Sequence, residues 1–156
     1  FKLLKVIPKK NFTLDMYGWR KINPEFQEIR EDAIAEGKMK EDDGMIALNW
    51  YPLANLDYYV AHPLGIDMYG FRDPSFIHKY AWINKERGGL ELGGDYWFLT
   101  ESFYYYEPDR YLKSYFEEII PTDTITIERG GEPAKYVFVY MLKDLKKMPQ
   151  TWFETA

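Results

Sequence analysis

Apolar residues along this chain fall into short blocks whose spacing changes character several times. Phe26, Ile29, Ala33 and Ile34 recur at helical intervals, after an Asn23-Pro24 pair suited to an N-cap and a first-turn proline, until Gly37 ends the run. A helix is expected there, with Tyr17 as its earliest start. The next block, GMIALNW, follows the charged connector KMKEDD and is apolar and bounded by turn residues, as a strand covered on both faces would be. Leu53, Leu56, Tyr59 and Val60 then share one side of a helix opened by Pro52 and ending near His62, and Gly65 to Phe71 reads as a second strand. The rival reading is a hairpin joining NWY to LDYYV, which Asn55 would tolerate in a turn. The strand, helix, strand order is preferred.

Asp73-Pro74 caps and opens a further helix, with Phe76, Tyr80 and Ile83 facing inward, and Gly88-Gly89 stops it. GGDYWFLTESFYYY reads as a strand. Pro108 leads another helix, in which Tyr111, Leu112, Tyr115, Phe116 and Ile119 form the cleanest amphipathic stripe in the chain before Pro121 closes it. TDTITIER and KYVFVYML flank Gly130-Gly131, so the chain should end in an antiparallel hairpin. Alternation of this kind predicts an α/β fold with a mostly parallel sheet, helices on both faces and that C-terminal antiparallel hairpin. The expected organisation is a lead-in over residues 1–13, one domain over 14–148 and a short tail over 149–156. DMYGWR at Asp15 recurs as DMYGFR at Asp67, but the surrounding residues do not align and a repeat architecture needs several copies. The echo is read as coincidence.

Composition narrows the class. A chain of 156 residues fits one domain with a real core, and 46% hydrophobic with 19% aromatic content excludes global disorder. The net charge is −5, and no run of Lys or Arg is long enough to track a phosphate backbone, so nucleic acid is not an expected partner. The absence of cysteine removes disulfides, thiolate nucleophiles and cysteine zinc sites. The longest charge-free stretch, Gly44 to Leu56, is 13 residues, short of the roughly 18 to 20 a spanning helix needs. No basic n-region with a long apolar core marks a signal peptide, and the start at Phe1 reads as a cut from a longer protein.

No glycine-rich phosphate loop, nucleophile elbow or paired-histidine zinc helix is present. The glycine pairs sit where turns are wanted. His62 reads as a loop residue and His78 as a partly buried polar residue, while Asp42-Asp43 and Glu117-Glu118 read as solvated surface. Phe103 to Tyr106 could stack on sugar rings, although a strand would bury half of them. In an open parallel sheet, ligands collect beyond the carboxyl ends of the strands, here Asn49 to Tyr51, Gly70 to Asp73 and Glu101 to Phe103. The candidate substrate-binding residues are therefore Asn49, Tyr51, Arg72, Asp73, His78 and Ser102, with no catalytic residue, metal ligand or cofactor assigned.

The segments TLDMYGWRKI, MIALNWYPLANLDYYVAHP, HKYAWIN, GGDYWFLTES and ITIERGGEPAKYVFVYML together resemble the soluble C-terminal region of bacterial polytopic glycosyltransferases, relatives of protein mannosyltransferases and the lipid A aminoarabinose transferase. Asp15, Gly18, Trp19 and Arg20 fit that group's D-x-x-G-W-[RK] segment, and Asn49, Tyr51, Leu53, Ala54 and Tyr58-Tyr59 fit its next strand and helix. The resemblance spans about Thr13 to Leu142. Pro24 and the insert KMKEDD depart from the group's pattern.

The resemblance implies an enzyme that passes a sugar from a polyprenyl-phosphate donor to a hydroxyl or phosphate on the extracytoplasmic, periplasmic side of the inner membrane. Its catalytic carboxylates would lie in a membrane portion outside this chain, so the domain is expected to be inactive alone and to cap or line the acceptor side of the cavity. The implied partners are the transmembrane portion of the same parent, the lipid-linked sugar and acceptor, and the membrane surface. Two other classes compete. One is a freestanding acidic inhibitor or immunity-type protein whose Tyr and Trp mask a basic enzyme site. The other is a nucleotide-handling enzyme of Rossmann-like shape, against which the missing phosphate loop counts.

Overall fold

The computed structural model describes residues 16–149; the expected lead-in and residues 150–156 of the expected tail lie outside it. The chain runs α1 (Trp19–Ala35), β1 (Gly44–Ala47), α2 (Trp50–Leu56) prolonged by a π-helical turn (Asp57–Ala61), β2 (Met68–Gly70), α3 (Pro74–Ile77), α4 (Tyr80–Glu86), β3 (Tyr96–Glu101), α5 (Pro108–Leu112), β4 (Phe116–Arg129) and β5 (Glu132–Leu145). The stretch from Gly44 to Gly70 is thus strand, helix, strand, and the hairpin reading fails.

The fold is α/β with five strands in the order β2-β1-β3-β5-β4. The expectation of a mostly parallel sheet needs correction. β1 pairs parallel with β2 and β3, but β5 pairs antiparallel with both β3 and β4, so the sheet is mixed. The reason lies in the hairpin, which enters the sheet by inserting β5 against β3 and leaves β4 outside. It is also longer than expected. The helix predicted from Pro108 to Ile119 stops at Leu112, and Phe116 already pairs with Leu145 and Ile119 with Leu142. Ladder pairing with β5 and burial of Phe116 outweigh the helical spacing of that stripe. Pro121 does not close a helix but sits within β4, an edge strand, where a missing N–H is tolerated, and the register shifts between Pro121 and Asp123. Gly130 and Gly131 both adopt positive φ, as a two-residue hairpin turn of the primed type requires.

Alternate residues of the strands serve two cores. Met45, Met68, Trp97, Leu99 and Val139 face α1, α2 and the π-turn, which contribute Ile22, Phe26, Leu53 and Val60. Phe26 meets Trp97 edge-on at 5.1 Å between centroids. On the opposite face, Ile46, Leu48, Phe98 and Phe138 lie beneath Leu112, Phe116, Tyr105, Tyr106 and Tyr115. That second face is covered by an aromatic loop and the short α5, where full helices on both faces were expected. The loop begins early: the Thr100 hydroxyl accepts from Tyr106 N–H at 2.9 Å and donates to the Tyr104 carbonyl at 3.2 Å, turning the FYYY run out of the strand.

α1 starts at Trp19, not at Asn23, and Pro24 lies inside it. Asn23 instead donates to the Tyr59 carbonyl at 3.2 Å, tying α1 to the π-turn. The helix expected after Asp73 is two helices, α3 and α4, broken at His78. α4 seals the outer edge of β2, because the Asn84 amide both accepts from Gly70 N–H and donates to Gly70 C=O at 2.9 Å, as a neighbouring strand would. Arg87 adds bonds to the Met68 carbonyl at 2.7 Å and to Asp57 at 2.9 Å, and Tyr80 donates to the same Asp57 oxygen at 2.7 Å. Burial, reinforced by the Asp57 carboxylate, pushes the Tyr80 phenol well above its ordinary pKa. No helix among the described residues is long and apolar enough to cross a membrane.

Candidate functional site

Beyond the carboxyl ends of β1 and β2, on the α5 side of the sheet, lies a cleft of about 450 Å³ whose walls include Phe71, Arg72, Asp73, Arg110, Tyr111 and Tyr115. The cleft lies outside the carboxyl ends of two parallel strands, where ligands collect in open sheets. Asp73 caps α3, its carboxylate accepting from Ser75 N–H at 3.0 Å and from the Ser75 hydroxyl. The hydroxyl bond, more than any other contact, holds that carboxyl below its usual range. It is therefore an ionised cap, poorly suited to proton transfer near neutral pH.

Arg72 lies over the Phe76 ring, 3.3 Å from its centroid, and 5.4 Å from the Tyr111 centroid; Arg110 approaches the same Tyr111 ring at 5.4 Å. Among the described residues neither guanidinium forms a salt bridge. Two cations around one phenol ring, with the edge-on pair Phe71 and Tyr115 at 5.1 Å behind them, make a basic, aromatic-walled recess. Such walls focus the field and attract anions, and guanidinium forks match phosphate or carboxylate geometry.

The other sequence candidates are not gathered there. Asn49 caps α2, accepting from Tyr51 N–H at 3.3 Å. Tyr51, half-buried, is wedged among Trp19, Trp50 and Tyr104 with centroids 5.2 to 6.3 Å away. Ser102 prolongs the β3–β5 ladder: its N–H donates to the Tyr136 carbonyl at 2.9 Å and its hydroxyl accepts from Tyr136 N–H at 3.1 Å. His78 ends α3 with φ 51° and ψ −122°, a region glycine favours, and its ring stands edge-on to Trp50 at 5.9 Å. His78→Gly should therefore raise stability by about 1 kcal/mol, read as a higher urea midpoint at unchanged slope. Equal or lower stability would mean the imidazole contact with Trp50 outweighs the backbone strain.

Arg72 and Asp73 thus share the cleft, while Asn49, Tyr51, Ser102 and His78 are spread over the same end of the sheet. Sequence reasoning missed Arg110, Tyr111 and Tyr115 as lining residues, because the helical stripe assigned both tyrosines to the core. Among the described residues no group of three or more His, Asp or Glu side chains is arranged to hold a metal ion. No protein-family model, curated protein or solved structure shows a significant match to the chain.

Proposed function

We propose that the chain is an extracytoplasmic soluble domain of a membrane glycosyltransferase, holding substrate during sugar transfer from a polyprenyl-phosphate donor while the chemistry occurs in a membrane portion of the same parent. The observation that carries the binding role is the Arg72–Tyr111–Arg110 arrangement, which offers charge to a phosphate beside the aromatic wall of the cleft. The one carboxylate in the argument, Asp73, is committed to a helix cap, consistent with binding and not with acid-base work. The transferase class itself rests on the sequence resemblance. In this reading the partners are the transmembrane part of the parent, the lipid-linked sugar with its acceptor, and the periplasmic membrane surface.

Calorimetric titration with glucose 1-phosphate and with farnesyl phosphate tests the site. Binding of either should weaken about tenfold or more in Arg72→Ala and again in Arg110→Ala, because each removes a charged hydrogen-bond partner. Absence of heat with both ligands would remove the observation on which the binding role depends. The parent is tested separately, by counting spanning-length apolar segments in the complete gene product. A product with none would defeat the transferase reading and favour the freestanding binder.

A further inference from the structure

Among the described residues five large hydrophobic side chains are prominently exposed: Met16, Trp50, Tyr58, Trp82 and Leu92. Two of them, Trp50 and Tyr58, belong to one face. Trp50, Ala54 and Tyr58 follow one another at four-residue spacing along α2 and its π-turn, all exposed. Between this stripe and the α3–α4 break runs a second groove of about 400 Å³, lined by Trp50, Ala54, Ile77, His78, Lys79 and Tyr80. Trp82 lies one turn beyond Lys79, its N–H bonded to the Lys79 carbonyl. No carboxylate lines the groove among the described residues. Its margins are basic: Lys79 is exposed on one side, and on the other the Arg20 guanidinium stands 5.7 Å from the Tyr59 ring, which meets Tyr58 edge-on at 4.8 Å.

We infer that this face docks onto an anionic lipid bilayer. On a chain of net charge −5, this apolar aromatic centre has cationic margins, and it complements acyl chains beneath anionic headgroups. Trp and Tyr settle at the headgroup boundary with ring inward and polar atom outward, and Lys and Arg extend their charge to the phosphates. The backbone around the face is irregular in two places, the π-turn under Tyr58 and the positive φ at His78, and such departures cluster where a surface is used. The inference does not use the arginine cleft, so either can fail alone.

The test is cosedimentation of the full chain with vesicles of equal parts phosphatidylcholine and phosphatidylglycerol, alongside vesicles of phosphatidylcholine only, with tryptophan emission recorded. The wild-type chain should bind the anionic vesicles with a blue shift. Trp50→Ser with Tyr58→Ser should lower the partition coefficient about tenfold or more while leaving the urea midpoint near wild type. Leu92→Ser, at the amino end of the sheet, should change nothing. Binding that survives the double substitution and vanishes in high salt would assign it to the lysines of residues 1–13 and overturn the inference. Failure to bind either vesicle would overturn it too, as would self-association that the same double substitution abolishes, which would make the occupant a second copy of this chain.

Discussion

Replacing Lys135 with methionine should cost about 3–5 kcal/mol of folding stability, the largest single effect expected anywhere in the chain. Its ammonium lies 2.9 Å from the Glu101 carboxylate, with the two side chains 0% and 2% exposed, and it also stands 4.2 Å from the centre of the Trp19 ring. The pair joins the end of β3 to the start of β5 and to the first residue of α1. Removing one member strands a charge where water cannot reach it, a larger penalty than the net worth of the pair. The double variant Lys135→Met with Glu101→Leu should therefore recover most of the loss. Urea denaturation of the wild type, both single variants and the double variant closes the cycle. Single variants within about 1 kcal/mol of wild type would show that the pair is solvated in solution and that this corner of the fold is looser than described.

Gly18→Ala should cost about 3 kcal/mol. Gly18 caps α1 with φ 85°, where a Cβ strains the backbone by about 1–2 kcal/mol. The added methyl would also run into the Ile127 Cγ2 methyl of β4. Overpacking of that kind adds about 1–3 kcal/mol unless β4 moves. The two contributions separate in a cycle with Ile127→Ala, which removes the clashing methyl and leaves the backbone strain. A favourable coupling of about 1 kcal/mol or more is the expected result. Simple additivity would mean that β4 yields to the added methyl and that the strain is conformational only.

The two cycles probe the same junction, where α1 meets the hairpin, and it was the part of the fold least legible in the sequence. The cap at Asn49 was missed, since that residue was assigned to the end of a strand and the helix was opened at Pro52. The cap at Asp73 could be read because capping is local: its side chain bonds an N–H two residues further on. The order of elements could be read for the same reason. The place of β5 between β3 and β4 could not, since Phe98 finding Tyr140 is a non-local event that no window of sequence contains. Tyr111, Leu112, Tyr115, Phe116 and Ile119 satisfy a helical spacing, yet the helix uses only the first two and the hairpin takes Phe116 and Ile119. The break at His78 left no trace because neither glycine nor proline marks it. In the cleft, Arg72 was legible from its position after β2, while Arg110 was hidden by the assignment of its neighbour Tyr111 to a core stripe.

The outer margin of β4 has a consequence for the chain in a crowded solution. Among the described residues, a fourteen-residue strand lies there with β5 on one side only, long enough to recruit a strand from another molecule. Pro121 offers no N–H to such a recruit, the register shift beside it bends the line of carbonyls, and exposed Glu117, Glu118 and Asp123 would meet their own kind across a symmetric junction. Fibrillar growth from this margin is thus obstructed three times within seven residues, numbers 117 to 123, and the longest strands of the protein end as a shore and not as a template.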